Sequence, residues 1–142
     1  MSGINSLAAL EGRWLLSRHI LHGDGRRDFF EGEVLFRRAG LRLIQDETGT
    51  MTVGNQQFQG QRRYIWEQAQ DSLRVYFDDM RPFHSIPLGT ALVETVHLCD
   101  PDRYQVAYDF SDWPNWSSVW DVEGPRKDYS MTSHMRPAPE SD

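Results

Sequence analysis

Along most of the chain, apolar side chains recur at every second position, and a 3.6-residue stripe is hard to find. Trp14, Leu16, Arg18 and Ile20 share one parity and predict a first strand of about a dozen residues. Phe30, Val34 and Phe36 fall on one parity around Gly32, where a bulge or sharp bend is expected. Leu41 and Leu43 open a third strand, expected to end in a turn at Thr48-Gly49. Tyr64 and Trp66 share a face with Ile65 opposite, and Leu73, Val75 and Phe77 run up to Asp78-Asp79. Residues 91–99 are apolar and β-branched, and they close on a turn by composition, Cys99-Asp-Pro-Asp102. Tyr104, Val106, Tyr108 and Phe110 then alternate with polar neighbours, as do Trp116, Trp120 and Val122 after Pro114. Gly124-Pro125 turns into a last strand near residues 127–135, and residues 4–10 are the single helical candidate.

Nine or ten short strands with turn chemistry between them predict an all-β fold, either an antiparallel up-and-down barrel or a sandwich. A closed barrel of about eight to ten strands with a short N-terminal helix explains both the one-sided alternation and the lack of covering helices. It also removes the exposed strand edges of an open sheet. Its interior is either filled by side chains or able to hold one small ligand. No repeat or linker divides the 142 residues, so residues 1–136 read as one domain and the Pro-rich, acidic residues 137–142 as a flexible tail.

Composition narrows the function classes. A hydrophobic share of 39% with five Trp excludes disorder of the body of the chain. The formal net charge of −6 argues against nucleic acid and anionic membranes as partners. One Cys makes neither an internal disulfide nor a CxxC metal site. Without a signal-like start or a membrane-length apolar run, a cytoplasmic protein is expected, and Cys99 suits that reducing setting.

Gly12-Arg-Trp14 opens the first strand with a Gly-x-Trp that resembles the opening motif of the lipocalin and wider calycin barrels, and Asp102-Arg-Tyr104 resembles their second signature. In those families an Arg or Lys near the last strand covers the opening Trp, a part open here to Arg126, Lys127 or Arg136. A broader match covers residues 7–136. His97-Leu-Cys-x-x-Asp102-x-Tyr104-x-Val106-x-Tyr108-x-Phe110, Trp113-Pro-x-Trp116 and Gly124-Pro-Arg-Lys-Asp-Tyr129 together resemble a bacterial domain-of-unknown-function family. That resemblance implies a calycin-like (lipocalin-like) barrel and assigns no activity and no catalytic residue.

Six residues are candidates for lining a ligand site. Arg18 lies on the parity expected to be buried, so it pairs with a lumen carboxylate such as Glu94 or binds the anionic head of a ligand, unless the upper end of the strand emerges to solvent there. His97 is a polar anchor if its face turns inward, although both faces of its strand are largely apolar. Tyr104 and Tyr108 would offer hydroxyls, and Trp116 and Trp120 apolar walls. Residues 81–84 are expected to form a loop at the barrel mouth, with Phe83 and His84 near a ligand entrance. Ser85, His84 and Asp79 form a triad on paper without a nucleophile elbow. The five histidines lack metal-ligand spacing, and haem held by His134 would place its ligand on a solvent-facing parity.

The leading expectation is a protein that binds a small apolar or aromatic molecule in its lumen, with no cofactor identified and a side-by-side homodimer left open. The alternatives are a proton-transfer enzyme using His97 as base and a Tyr as acid, and a filled barrel presenting Trp113-Pro-Asn-Trp116 to a protein partner.

Overall fold

The alternation becomes ten antiparallel strands in a computed structural model that describes residues 3–139. A single 3-10 turn (Leu7–Leu10) takes the place of the expected N-terminal helix. The strands are β1 (Gly12–His22), β2 (Arg27–Ala39), β3 (Arg42–Val53), β4 (Gln56–Ala69), β5 (Ser72–Phe77), β6 (Pro82–Pro87), β7 (Leu92–Cys99), β8 (Asp102–Asp109), β9 (Trp116–Gly124) and β10 (Lys127–Pro137). Neighbours in sequence are neighbours in space, except that β1 pairs with β10 in the middle of the sheet. The two ends of the sheet, β6 and β7, face each other across a seam with no backbone ladder. The result is the expected up-and-down, calycin-like barrel, nearly closed.

Three expected boundaries move. Thr48-Gly49 is no turn: β3 continues to Val53, and the chain reverses at Gly54-Asn55. Residues 81–84 are no loop, because Phe83 and His84 lie on β6. The last strand runs to Pro137, and Ala138 still donates its N–H to the Arg13 carbonyl at 3.0 Å. Residues 140–142 of the expected tail lie outside the described residues. No helix among the described residues is long and apolar enough to cross a membrane.

One end of the barrel is plugged. Trp14 donates its indole N–H to the Leu10 carbonyl at 2.8 Å and meets Trp116 edge-on, with Trp113 and Phe110 beside it. Leu7, Leu10, Phe36 and Leu43 complete this floor, all buried. No cation among the described residues lies over Trp14. The pairing of His22 with Tyr129 puts the start of β10 at the opposite end, where Lys127 lies over Tyr104 instead; Arg126 and Arg136 are exposed.

Between floor and mouth, Gly32, Gly49 and Gly60 are direct partners across β2, β3 and β4. All three share the interior-facing parity of their strands. A Cβ on Gly32 would lie 2.1 Å from the Thr48 carbonyl oxygen, and one on Gly49 2.3 Å from that of Glu31. The sheet is therefore creased inward so tightly that only hydrogen fits on its concave side, and the Phe30 ring rests against the Gly60 end of the row. Beyond the crease the hairpin of β3 and β4 outruns β5, which pairs with β4 only from Tyr64 onward.

Gly49→Ala is expected to cost about 2–3 kcal/mol through backbone overpacking. Thr50→Ala, one position along, should cost less than about 1 kcal/mol. Urea unfolding of the two variants checks this, and a neutral Gly49→Ala would contradict the crease.

Candidate functional site

The barrel waist holds a buried polar chain. Arg18 of β1 makes two hydrogen bonds to Glu47 of β3, at 2.9 and 3.1 Å, and donates from Nε to Ser133 Oγ of β10 at 2.7 Å. Gln45 donates to Glu47 at 2.8 Å and accepts the Trp66 indole N–H at 2.7 Å. Phe30 lies 5.6 Å from the guanidinium carbon. The expected partner, Glu94, is exposed on the outer face of β7. Register explains why Glu47 takes its place. Arg18 is level with Phe30, and Glu47 is level with Val34, one inward position to either side of Gly32. The diagonal between them passes over a residue with no side chain to obstruct it.

Glu47 is 1% exposed, so removing its partner would strand a carboxylate in the core. Arg18→Met is expected to destabilise by about 3–5 kcal/mol. The double variant Arg18→Met/Glu47→Leu should recover most of that loss, because the desolvation cost of both ions disappears together. Chemical denaturation of single and double variants measures the difference.

The seam is closed by rings. Phe83 of β6, 2% exposed, stacks on Phe77 at 4.5 Å and meets Trp120, His97, Tyr104 and Tyr64 at centroid distances of 5.0 to 6.3 Å. Beside it, His84 Nε2 shares a 2.7 Å hydrogen bond with the Tyr108 hydroxyl of β8, reaching across β7. His84 Nδ1 and Trp116 Nε1 are buried without a protein partner. Burial, with a smaller push from His97, lowers the His84 pKa to about 3, and burial raises that of Tyr108. Both groups are neutral at pH 7. The space left among Arg18, Glu47, His84, Tyr108, Trp116 and Trp120 is about 20 Å³, room for about one water molecule.

The mouth, at the end opposite the floor, is open and has a different chemistry. Tyr64, Tyr104 and Tyr129 line it, each half-buried. Lys127 donates to the Tyr104 hydroxyl at 2.8 Å and pairs with Asp102 at 3.0 Å. Those two bonds raise the Lys127 pKa against the effect of burial. Arg62, on the inward parity of β4, donates to the Tyr64 hydroxyl at 3.4 Å and makes no ion pair among the described residues. Burial works to lower its pKa, but Tyr64, Glu47 and Tyr129 outweigh it and hold the guanidinium charged. Burial raises the pKa of Tyr64 and of Tyr129, so the phenols stay protonated. A cleft of about 560 Å³ opens here, lined by Arg62, Arg63, Tyr64, Phe77, Asp78, Asp79 and Arg81, with Asp79 paired to Arg81.

The six sequence candidates therefore divide. Arg18, Tyr108, Trp116 and Trp120 belong to the filled interior, whereas His97 and Tyr104 lie toward the mouth. His97 does turn inward, half-buried against Phe77, Phe83 and Tyr104, with its pKa lowered by burial and by Arg81. It bonds neither tyrosine: Tyr104 is held by Lys127, and Tyr108 by His84. The histidine–tyrosine pair thus exists, but with His84 in it. The paper triad does not form, since Asp79 binds Arg81 at 2.7 Å and Ser85 is exposed. Trp116 is buried in the floor, and Trp113 packs against that floor while staying only partly buried. His134 is exposed on the outer wall, and no three His, Cys, Asp or Glu side chains come together as a metal set among the described residues.

Arg62, Tyr129 and Glu47 were not legible as site residues, and Phe83, expected in a loop near the ligand entrance, lies instead on β6. Arg62 and Tyr129 lie where alternation gives way to runs of polar residues. Phe83 and Ile86, both inward, are three apart because the pairing with β5 shifts register between Val75 and Tyr76, which breaks the period-two signal.

A plugged floor, a charged waist and an open mouth in one meander define a calycin-like β-barrel. Residues 10–137 match DUF6314, a family of unknown function, and the chain belongs to that family. No curated protein sequence matches it. Among solved structures it is similar to the S-type phycobiliprotein lyase CPES from Guillardia theta, with a TM-score of 0.67 over 94% of this chain and 90% of that one. At 7% identity the likeness is one of fold.

The neutral, buried His84 also sets a pH dependence. The unfolded chain binds a proton there below about pH 6.5, whereas the folded chain does so only near pH 3. Unfolding therefore takes up a proton in this window, and stability falls with pH by up to about 1.4 kcal/mol per unit. Denaturation at pH 7 and at pH 4.5 should show this loss, and His84→Gln should flatten it. An equal slope in the variant would assign the loss to other groups.

Proposed function

We propose that this protein binds a small ring-bearing acid at the mouth of its barrel. The observation that carries the reading is Arg62, a charged guanidinium on the inward parity, among phenol rings and, among the described residues, in no ion pair, while Asp79 in the same cleft is taken up by Arg81. An anionic group would bond Arg62, with Lys127 beside it. The ring system would lie against Tyr64, Tyr104 and Phe77, where stacking and partial burial favour planar, amphipathic molecules. The filled waist moves this seat outward from the deep lumen, since about 20 Å³ admits no ligand ring. The same lack of space gives a proton-transfer substrate no place beside His84 and Tyr108. The shared fold with a phycobiliprotein lyase supports a small-molecule ligand of bilin type in a barrel of this shape. The unpaired Cys99 is in keeping with a reducing, cytoplasmic setting.

Anilinonaphthalene sulfonate, an anionic aromatic probe, tests the reading by fluorescence titration at pH 7. Saturable one-to-one binding is expected, weakened about tenfold in Arg62→Ala through loss of a charge-assisted hydrogen bond. The neutral dye Nile red should distinguish the two proteins far less. Absence of saturable binding, or equal affinity in the variant with unchanged circular dichroism, overturns the proposal.

A further inference from the structure

Residues 56–63 of β4 form a free edge. β3 pairs with them on one side, from Val53 with Gln56 to Asp46 with Arg63, whereas β5 joins only at Tyr64. Among the described residues no hydrogen bond closes the other side. Eight residues exceed the length of a typical whole strand, about five or six. Long edges of this kind are normally blunted by charge, proline or a bulge. Here Gln56-Gln57-Phe58-Gln59-Gly60-Gln61 contains no charge and no proline, and its pairing with β3 is unbroken. Gln57 and Gln59 reach sideways to Thr52 and Thr50 at 3.5 and 3.3 Å, which makes the outer face a neutral Gln/Thr surface. Phe58 stands on the opposite face, 50% exposed.

We propose that two copies of this chain pair through this edge, antiparallel, about a two-fold axis at Gln59. An axis perpendicular to the sheet keeps the inward faces of both copies on one side, and it requires partners of equal parity. Centred on Gln59, it places Gln57 of one copy opposite Gln61 of the other and Phe58 opposite Gly60. Gln56 then faces Arg62, so no like charges meet. The Phe58 ring lies beside the Gly60 backbone of the other copy, whose inner side the Phe30 ring of that copy already covers. An axis at Gly60 would set two residues without side chains against each other and put Phe58 opposite Arg62. The Gln59 register therefore uses the edge best. Pairing satisfies the unbonded backbone groups of both copies and joins their two sheets into one continuous sheet.

Sedimentation velocity on the intact chain tests the proposal. The wild type should sediment at twice the 16.5 kDa chain mass at micromolar concentration. Gln59→Lys and Gln59→Glu each put like charges together at the axis, and each should sediment as a monomer with unchanged circular dichroism, Gln59 being exposed. Mixing the two variants in equal amounts should restore the dimer. In a Cys99→Ser background, Gln59→Cys should form an intermolecular disulfide under mild oxidation. A wild type that stays monomeric over the whole concentration range overturns the proposal. So does a dimer that persists in both charged variants, or a mixture that fails to reassociate.

Discussion

A guanidinium placed on the inward face of a strand must find a carboxylate, and in this barrel Arg18 finds Glu47 two strands away. Much of the wall is arranged around that contact. The crease at Gly32 and Gly49 clears the diagonal between the two side chains. Ser133, Gln45 and Trp66 take up further hydrogen-bonding capacity of the pair, which ties β1, β3, β4 and β10 together at one level. Buried ions are tolerated only when each is well partnered. The need to partner both ions is thus in keeping with aromatic rings packed below and beside them, which leave room for about one water molecule.

Closure follows a different rule. A ten-stranded meander whose first strand pairs with its last has its two free edges at β6 and β7. Backbone hydrogen bonds do not join them. Phe83 does so by packing into the rings of both walls, and His84 by bonding Tyr108 beyond β7. The aromatic excess in the composition has its structural explanation here and in the floor. It fills the interior, so the space for a second molecule lies where the fill ends, at the tyrosines and cations of the mouth.

How far the residues disclosed this depended on the range of each interaction. A count of nine or ten strands was legible because alternation is local. The reading failed where alternation weakened: residues 81–84, read as a loop, lie at β6 with its shifted register, and the polar first half of β4 gave no signal. Arg18 was legible as a buried charge in need of a partner. Its partner was not, because Glu94 and Glu47 differ only in which side of their strands faces inward. For β7 that choice was undetermined: Leu92, Val96 and Leu98 alternate with Val93, Thr95 and His97, and either set would make a core. Pairing Val93 with Tyr108 and His97 with Tyr104 turns the leucines outward, where Leu92 and Leu98 are 67% and 71% exposed.

The sequence by itself determined the class of element, the approximate number of strands and the inward parity of one arginine among many rings, since these follow from period and turn chemistry. Only the tertiary structure decided that Arg18 meets Glu47, that His84 and not His97 holds a tyrosine, and that Arg62 stands at the mouth with no ion pair among the described residues. Those are contacts between residues 24 to 29 positions apart or, for the mouth, between strands that meet only when the sheet curls. No local pattern encodes them, because they depend on register and curvature, which arise from the whole sheet together.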